Sequence, residues 1–226
     1  VSLALFIPVR KGSERVKEKN TRKFSDIPGG LLELKLNQLL KITSFTEIII
    51  STNDPQCIEI AEGFKEKLSS LKIVQRPEEL SSSETKLTDL IKYIPQITQC
   101  EHILWSHVTS PFCQAENYRD AIEKFRNLEN HDSLMSVECK KEFFWDRKKK
   151  RLANAKGNQV WPRSQDLEEI YQVNSAIFLA SRKFYENGNR IGKDPFLYEM
   201  NKLDSWDIDT DLDFKLAEAI YEKFYR

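Results

Sequence analysis

Two short stretches, Leu3 to Val9 (LALFIPV) and Glu47 to Ser51 (EIIIS), are apolar at nearly every position rather than at every second one. Strands buried on both faces of a parallel sheet read this way. Leu31 to Leu40 follows the first stretch and sets Leu31, Leu34 and Leu39 on one helical stripe, and Pro55 to Leu68 does the same after the second. The alternation goes on with a strand at Lys72 to Gln75, a helix at Thr85 to Ile97, a strand at His102 to Ser106, a helix at Ala115 to Asn127 and a strand at Ser133 to Val137. Such alternation predicts βαβ units, an α/β fold and a mostly parallel sheet flanked by helices. The rhythm breaks between Glu138 and Asp166. Aromatic residues, a basic cluster and Gly157-Asn158, read as a hairpin turn, mark an insertion there. Tyr171 to Leu179 resumes the core, and Leu212 to Phe224 closes the pattern as an amphipathic helix.

The 226 residues correspond to one α/β domain with a subordinate insertion. The longest apolar runs fall far short of the roughly 20 residues that span a bilayer, so no membrane span is expected. No basic segment or cleavage site follows Val1, which predicts no signal peptide and a cytoplasmic protein, and the absent initiator Met reads as a trimmed or tagged start. The four cysteines form no C-x-x-C pair and have no histidine at ligand spacing, which argues against zinc and against a disulfide framework.

Lys plus Arg and Asp plus Glu number 35 each, and this balance conceals strong local asymmetry. Arg10 to Lys23, directly after the first strand, carries seven basic residues against Glu14 and Glu18. Ligands of open α/β sheets bind outside the carboxyl ends of the strands, so this loop is the first place to look for chemistry. Gly12 and Ser13 offer backbone N–H groups to phosphate oxygens, and Arg10 and Lys19 offer fixed positive charge. From charge alone, a solvated basic loop is the commoner reading. The loop has neither the P-loop nor the dinucleotide glycine pattern. Near the other end, Asp194 to Asp213 carries seven acids against Lys202 alone. Asp211 and Asp213 are explained by the start of the last helix, with Asp211 read as its N-cap or in its first turn. Asp207 and Asp209 alternate on an extended segment, which points both carboxylates to one side and suits a hard cation such as Mg²⁺.

Ile7 to Arg15 with Lys19-Asn20 resembles the I-P-A-R-x-G-S-K-x…K-N signature of acylneuraminate cytidylyltransferases, the enzymes that make CMP-sialic acid and its relatives. Four further stretches are similar in family order. These are Ser51 to Asp54 (S-T-D-D), Arg76 to Ser82 (R-P-x-x-L-A-x), His107 to Pro111 (Q-P-T-S-P) and Asp204 to Thr210 (D-x-x-D-I-D-T). The resemblance implies a Rossmann-like, nucleotide-diphospho-sugar transferase-like domain over residues 1 to 226, with an inserted dimerisation element at 138 to 170 and a homodimer. It implies that a 2-keto-3-deoxy sugar acid attacks the α-phosphorus of CTP with release of pyrophosphate. By the same carry-over, Val9, Arg10, Gly12, Ser13, Lys19, Asn20 and Ser82 handle the nucleotide, and Asp207 and Asp209 hold Mg²⁺. His107, Arg163, Gln165 and Phe178 face the sugar acid. Arg10, Arg15, Lys19, Asp207 and Asp209 form the catalytic set.

The sequence departs from the family pattern at several of these positions. Glu14 stands where the family has Lys, so Arg15, Lys11 or Lys17 must supply the cation, or the protein is a weak or inactive nucleotide-binding relative. His107 replaces Gln, and Phe178 replaces Tyr in Asn174 to Phe178 (N-S-A-I-F against N-G-A-I-Y), changes that bear on which acid is accepted. Arg163, in a run resembling R-x-D-L, is the candidate for gripping the acid's carboxylate. Seven basic residues between Lys140 and Arg151 resemble a nucleic-acid patch, but their place in the insertion favours a solvated turn beside dimer-interface aromatics Phe143, Phe144 and Trp145. Neither nucleic acid nor membrane is expected as a partner. A metal-dependent glycosyltransferase is the rival enzyme reading.

Overall fold

The computed structural model describes residues 1–13, 15–157 and 159–226. The elements run in chain order as β1 (Leu3–Pro8), α1 (Gly30–Leu39), β2 (Glu47–Thr52), α2 (Pro55–Glu62), β3 (Leu71–Gln75), α3 (Leu87–Ile97), β4 (His102–Trp105) and α4 (Ala115–Arg126). They continue with β5 (Ser133–Lys140), β6 (Trp145–Asp146), β7 (Arg151–Leu152), β8 (Ile170–Ser181), α5 (Arg182–Glu186), β9 (Pro195–Glu199) and α6 (Asp211–Phe224).

Successive side chains of β1 leave the strand on opposite faces, and both faces are apolar, which forces a layer of helices on each side. Leu3, Leu5 and Ile7 pack in one cluster with Leu31 and Leu32 of α1, Cys57 of α2, Tyr118 of α4 and Phe214 of α6. Ala4 and Phe6 point the other way, into a cluster with Leu90, Ile91 and Ile94 of α3, Trp105 of β4, Phe178 of β8 and Tyr185 of α5. Each Leu, Ile or Phe sealed in these layers contributes roughly 1.5 to 3 kcal/mol of burial.

Seven strands form the sheet in the order β3-β2-β1-β4-β8-β5-β9. β1 pairs in parallel with β2 and β4, β2 with β3, and β5 with β9, while β8 runs antiparallel to both β4 and β5. The chain moves outward from β1 to β3 and then returns to the far side of β1 as β4. The two directions of winding therefore part between β1 and β4, and the crevice outside the carboxyl ends of these two strands is the topological switch point.

Several boundaries differ from the sequence expectation. α2 stops at Glu62 with Gly63 at its C-cap, and the chain continues to Leu68 in tighter turns that still bury Phe64 and Leu68. Thr210, not Asp211, caps α6: its hydroxyl accepts from the Asp213 N–H at 3.2 Å, and Asp213 Oδ2 accepts from the Thr210 N–H at 2.7 Å. Asp211 lies in the first turn. β9 had no strand signature, because it is an edge strand opened by Pro195 in which Tyr198 alone is buried.

In the insertion, β5 and β8 extend together past the sheet, pairing Val137 with Val173 and Lys140 with Ile170. The arm they form carries the small hairpin β6–β7. That hairpin turns at Arg147–Lys150, where Asp146 Oδ1 accepts from the N–H groups of Lys148 and Lys149 at 2.9 Å each. The turn expected at Gly157-Asn158 is thus not the one that closes this hairpin, and Asn158 lies outside the described residues.

Candidate active site

The loop after β1 is tied both to the end of β2 and to itself. Val9 N–H donates to the Ser51 carbonyl at 2.9 Å, Lys11 N–H to Asn53 Oδ1 at 2.9 Å, and Asn20 Nδ2 reaches back to the Arg10 carbonyl at 3.2 Å. Gly12 sits at φ +79° with nothing within 4 Å of where a Cβ would be, so the position needs glycine for backbone freedom and not for space. These ties hold Arg10, Ser13 and Asn20 between two adjoining hollows. One, of about 460 Å³, is walled by Pro8, Arg10, Lys19, Arg76, Trp105 and His107, among others. The other, of about 440 Å³, reaches over Gly12 and Lys17 to Asp54 and Gln56. Both open at the switch point.

The acidic segment before α6 meets this loop from the other side. Ile208 is fully buried, and its N–H donates to the Thr109 carbonyl at 2.9 Å. Its own carbonyl accepts from Lys19 Nζ at 2.8 Å. With Ile208 pinned inward, Asp207 and Asp209 flank it at the cleft, and Arg15 Nη2 lies 2.9 Å from Asp209 Oδ1. Both partners of that ion pair are more than half exposed, so it adds little stability and serves mainly to place charge. Arg22 Nη1 holds Asp211 at 3.0 Å and stacks its guanidinium 3.9 Å from the Phe214 ring, fastening the basic loop to α6.

Burial raises the Asp207 carboxyl above the usual carboxylate range, against the pull of Thr109. Burial likewise lowers the Lys19 ammonium, although Asp207 and Asp209 act in the opposite sense. Asp207 Oδ1 is buried with no hydrogen-bond partner among the described residues. An orphaned carboxylate oxygen beside a second carboxylate is the donor set a hard cation accepts when it keeps its remaining positions for water and phosphate. No group of three or more His, Cys, Asp or Glu side chains gathers at ligating distance among the described residues. What the residues offer a cation is the unpartnered Asp207 Oδ1 and the Asp209 carboxylate two positions on.

The residues of the loop after β4 are set from below. Lys35 is completely buried and donates to the carbonyls of Ser110 and Cys113 at 3.0 and 3.2 Å and to Tyr118 Oη at 3.1 Å. His107 Nε2 accepts from Trp105 Nε1 at 2.8 Å. The imidazole pKa is pushed down to about 3 by burial and then by Arg190, Lys19, Arg76 and Lys35. A neutral ring that accepts at Nε2 carries its proton at Nδ1.

A family model described as cytidylyltransferase matches residues 4–225. The chain belongs to the cytidylyltransferase family. It is 28% identical to an N-acylneuraminate cytidylyltransferase of Escherichia coli O18:K1:H7, an alignment covering 96% of this chain but 51% of that protein. The chain thus spans about half the length of that relative. It is 28% identical to a CMP-N,N'-diacetyllegionaminic acid synthase of Legionella pneumophila and 25% identical to a pseudaminic acid cytidylyltransferase of Campylobacter jejuni, in each case over 96% of this chain and 94% of the relative. Among solved structures, a CMP:2-keto-3-deoxy-manno-octonic acid synthetase complexed with CTP superposes with a TM-score of 0.70 at 11% identity over 99% of both chains. A 4-diphosphocytidyl-2C-methyl-D-erythritol synthase gives 0.64 at 11% identity over 97% and 98%. These last two establish the shared fold, that of nucleotidyltransferases. The family is one of nucleotidyl transfer, which sets aside the glycosyltransferase reading. No helix of the chain is long and apolar enough to cross a membrane among the described residues.

Of the expected residues, Arg10, Gly12, Ser13, Arg15, Lys19, Asn20 and His107 line the switch-point cleft, Asp207 and Asp209 adjoin it on either side of Ile208, and Val9 is buried in the core at the start of the loop. Four others stand apart. Ser82 is exposed with its hydroxyl 3.2 Å from that of Thr85, and it is the neighbouring Ser83 that lines the cleft. Arg163 and Gln165 lie on the arm, and Arg163 is already engaged, with Nε 2.8 Å and Nη2 3.2 Å from the Asp166 carboxylate. Phe178 is buried in the sheet opposite Trp105. Glu14 lies outside the described residues.

Three contributors were not among the expected site residues. Arg76, in the stretch resembling R-P-x-x-L, is 3% exposed, bonds Ser51 through Nε and Nη2 and borders the cleft. Trp105, at the end of β4, is buried but also turns its indole N–H to His107. Arg190 comes from the loop between α5 and β9, where no motif marks it.

Proposed function

We propose that the chain activates a 2-keto-3-deoxy sugar acid, sialic acid-like in class, by transfer of CMP from CTP with release of pyrophosphate. One observation carries this reading: the basic loop after β1 and the acidic segment before α6 meet at a single cleft, joined by Lys19 on the Ile208 carbonyl and by Arg15 on Asp209. The names of the curated relatives, which are synthases or cytidylyltransferases of such acids, support the acceptor class.

In this reading the triphosphate lies along the loop after β1, against Arg10, the N–H groups beside Gly12 and Ser13, Lys19 and Asn20. The acceptor lies toward His107. The acceptor hydroxyl attacks the α-phosphorus, the new P–O bond forms as the bond to the β-phosphate bridge breaks, and the hydroxyl proton is lost to water. Such in-line transfer asks the protein mainly for alignment and charge neutralisation. Arg10 and Lys19 meet the negative charge that collects on the departing pyrophosphate. Asp207 and Asp209 would hold Mg²⁺, which when bound neutralises phosphate oxygens and orients the α-phosphate.

The same reading includes a homodimer. Phe143 and Trp161 stack at 4.9 Å and 5° on the arm, where Trp145 and Val160 are also exposed at 63% and 87%. An apolar patch of this kind supports contact with a second copy, through which Arg163 and Gln165 would reach the partner's acceptor site. The test is incubation with CTP, Mg²⁺ and a panel of eight- and nine-carbon 2-keto-3-deoxy acids, with pyrophosphate release as the readout. Release that depends on one or more of the acids supports the proposal. Release with none of them removes it.

A further inference from the structure

Arg190 reaches from the loop between α5 and β9 to the underside of the cleft. That loop is rigidly based. Asn189 Nδ2 donates to the Gly192 carbonyl at 2.7 Å, and Gly192 packs so tightly on Asp132 and Ser133 that a Cβ there would collide with both side chains. From this base the guanidinium carbon comes to 3.9 Å from the Phe178 ring centre and 4.6 Å from that of Trp105. These two residues are cross-strand partners of β8 and β4, so the cation sits over an aromatic pair on one face of the sheet.

The aromatic faces attract a cation but satisfy none of its N–H donors. Nη1 is buried without a hydrogen-bond partner, and no carboxylate pairs with Arg190 among the described residues. Buried guanidinium groups are normally matched by an anion, and an unmatched one marks a place where a partner is missing. The group is also not sealed off, since the residue as a whole is only partly buried. Its surroundings say which side it serves. Trp105, on which it stacks, donates to His107, and both line the cleft. Of the charges acting on His107, that of Arg190 is the strongest.

We propose that Arg190 is a specificity-determining residue of this chain that receives the carboxylate of the acceptor acid, with Trp105 and Phe178 fixing the plane of its guanidinium and His107 reading the adjacent part of the acceptor. This rests on the sugar-acid reading of the site. It places an acid-recognising cation within the same subunit, in contrast to Arg163, whose guanidinium is occupied by Asp166. A guanidinium carries paired N–H donors in a fork that matches the two oxygens of a carboxylate, and its place over two rings limits where that fork can go.

The chemistry shared by a carboxylate and a phosphate requires that the two be separated. Arg190→Met and Arg190→Lys are compared with the unmodified enzyme, using the panel acid that the latter turns over, the methyl ester of that acid, and CTP. Loss of a charge-assisted pair predicts a rise of roughly 10- to 100-fold in KM for the acid in Arg190→Met, with a smaller rise in Arg190→Lys. KM for CTP and CTP affinity by calorimetry should change less than about twofold. The unmodified enzyme should prefer the acid to its ester, and Arg190→Met should lose that preference. An unchanged KM for the acid in a folded Arg190→Met, or a parallel rise in KM for CTP, overturns the assignment alone. Should Arg190→Met not fold, an Arg190→Lys enzyme with unaltered acid KM and ester preference does the same. Turnover of no panel acid by the unmodified enzyme overturns the functional reading and this assignment together.

Discussion

Lys19 Nζ lies 2.8 Å from the carbonyl oxygen of Ile208, a bond between residues 189 positions apart in the chain. It fixes the basic loop against the segment that carries Asp207 and Asp209, and it holds the ammonium at the cleft. Replacement of Lys19 by Met removes both the charge and the tie. The expected result is a fall of at least about 100-fold in kcat/KM for CTP, the order seen when one charge-stabilising donor is lost. Steady-state pyrophosphate release measures it, and a change under about fivefold would contradict the role given to Lys19.

Asp207, next to Ile208, carries a buried oxygen without a hydrogen-bond partner among the described residues. Chelation of divalent cations is expected to abolish pyrophosphate release and Mg²⁺ to restore it. Asp207→Asn should raise the Mg²⁺ concentration for half-maximal activity about tenfold or more, because a ligating charge is lost. A Mg²⁺ titration of the variant that overlays the parent curve would argue against these ligands.

His107 gives a prediction about acid stability. Its folded pKa is depressed to about 3, below the roughly 6.5 of an unfolded chain, so the unfolded state takes up the proton first. The stability tied to neutral His107 is therefore fully present above about pH 6.5 and is lost as pH falls toward 3. His107→Gln removes this term. Urea unfolding between pH 6.5 and 4 should show a shallower decline for the variant, by at most about 1.4 kcal/mol per pH unit. Parallel declines would indicate that the imidazole is not held neutral.

Lys35 tests the scaffold rather than the chemistry. Its ammonium supplies donors to two carbonyls of the segment after β4, those of Ser110 and Cys113. In Lys35→Met these acceptors lose their partner inside the core, with an expected loss of about 2 to 4 kcal/mol by urea denaturation. A loss below about 0.5 kcal/mol would mean that the segment is held by other contacts.

The arm yields a prediction about assembly. Trp161→Ser together with Phe143→Ser breaks the exposed stack and should shift sedimentation of the protein from dimer toward monomer. Sedimentation of the parent as a monomer at tens of micromolar would remove the homodimer from the proposal.

The hydrophobic pattern determined the layers. Runs such as Leu3 to Val9 and Glu47 to Ser51 are apolar on both faces, and no arrangement other than a sheet covered on both sides buries them. The charge pattern marked the two segments that carry most of the site, and the motif likeness gave them an order and a reaction. Tertiary structure alone decided the rest. Arg190 lies in an unmarked loop and comes to lie over Trp105, a wall of the cleft, only because β8 runs antiparallel beside β4 and sets Phe178 against Trp105. Lys35 reads as one more polar position of a helix until α4 and the segment after β4 close over it. The short edge strand β9 and the placement of Ser83 rather than Ser82 at the cleft have the same origin. Sequence periodicity reports which side chains must leave water. Which buried groups then face one another depends on strand order and register, contacts between residues far apart in the chain that no local pattern encodes.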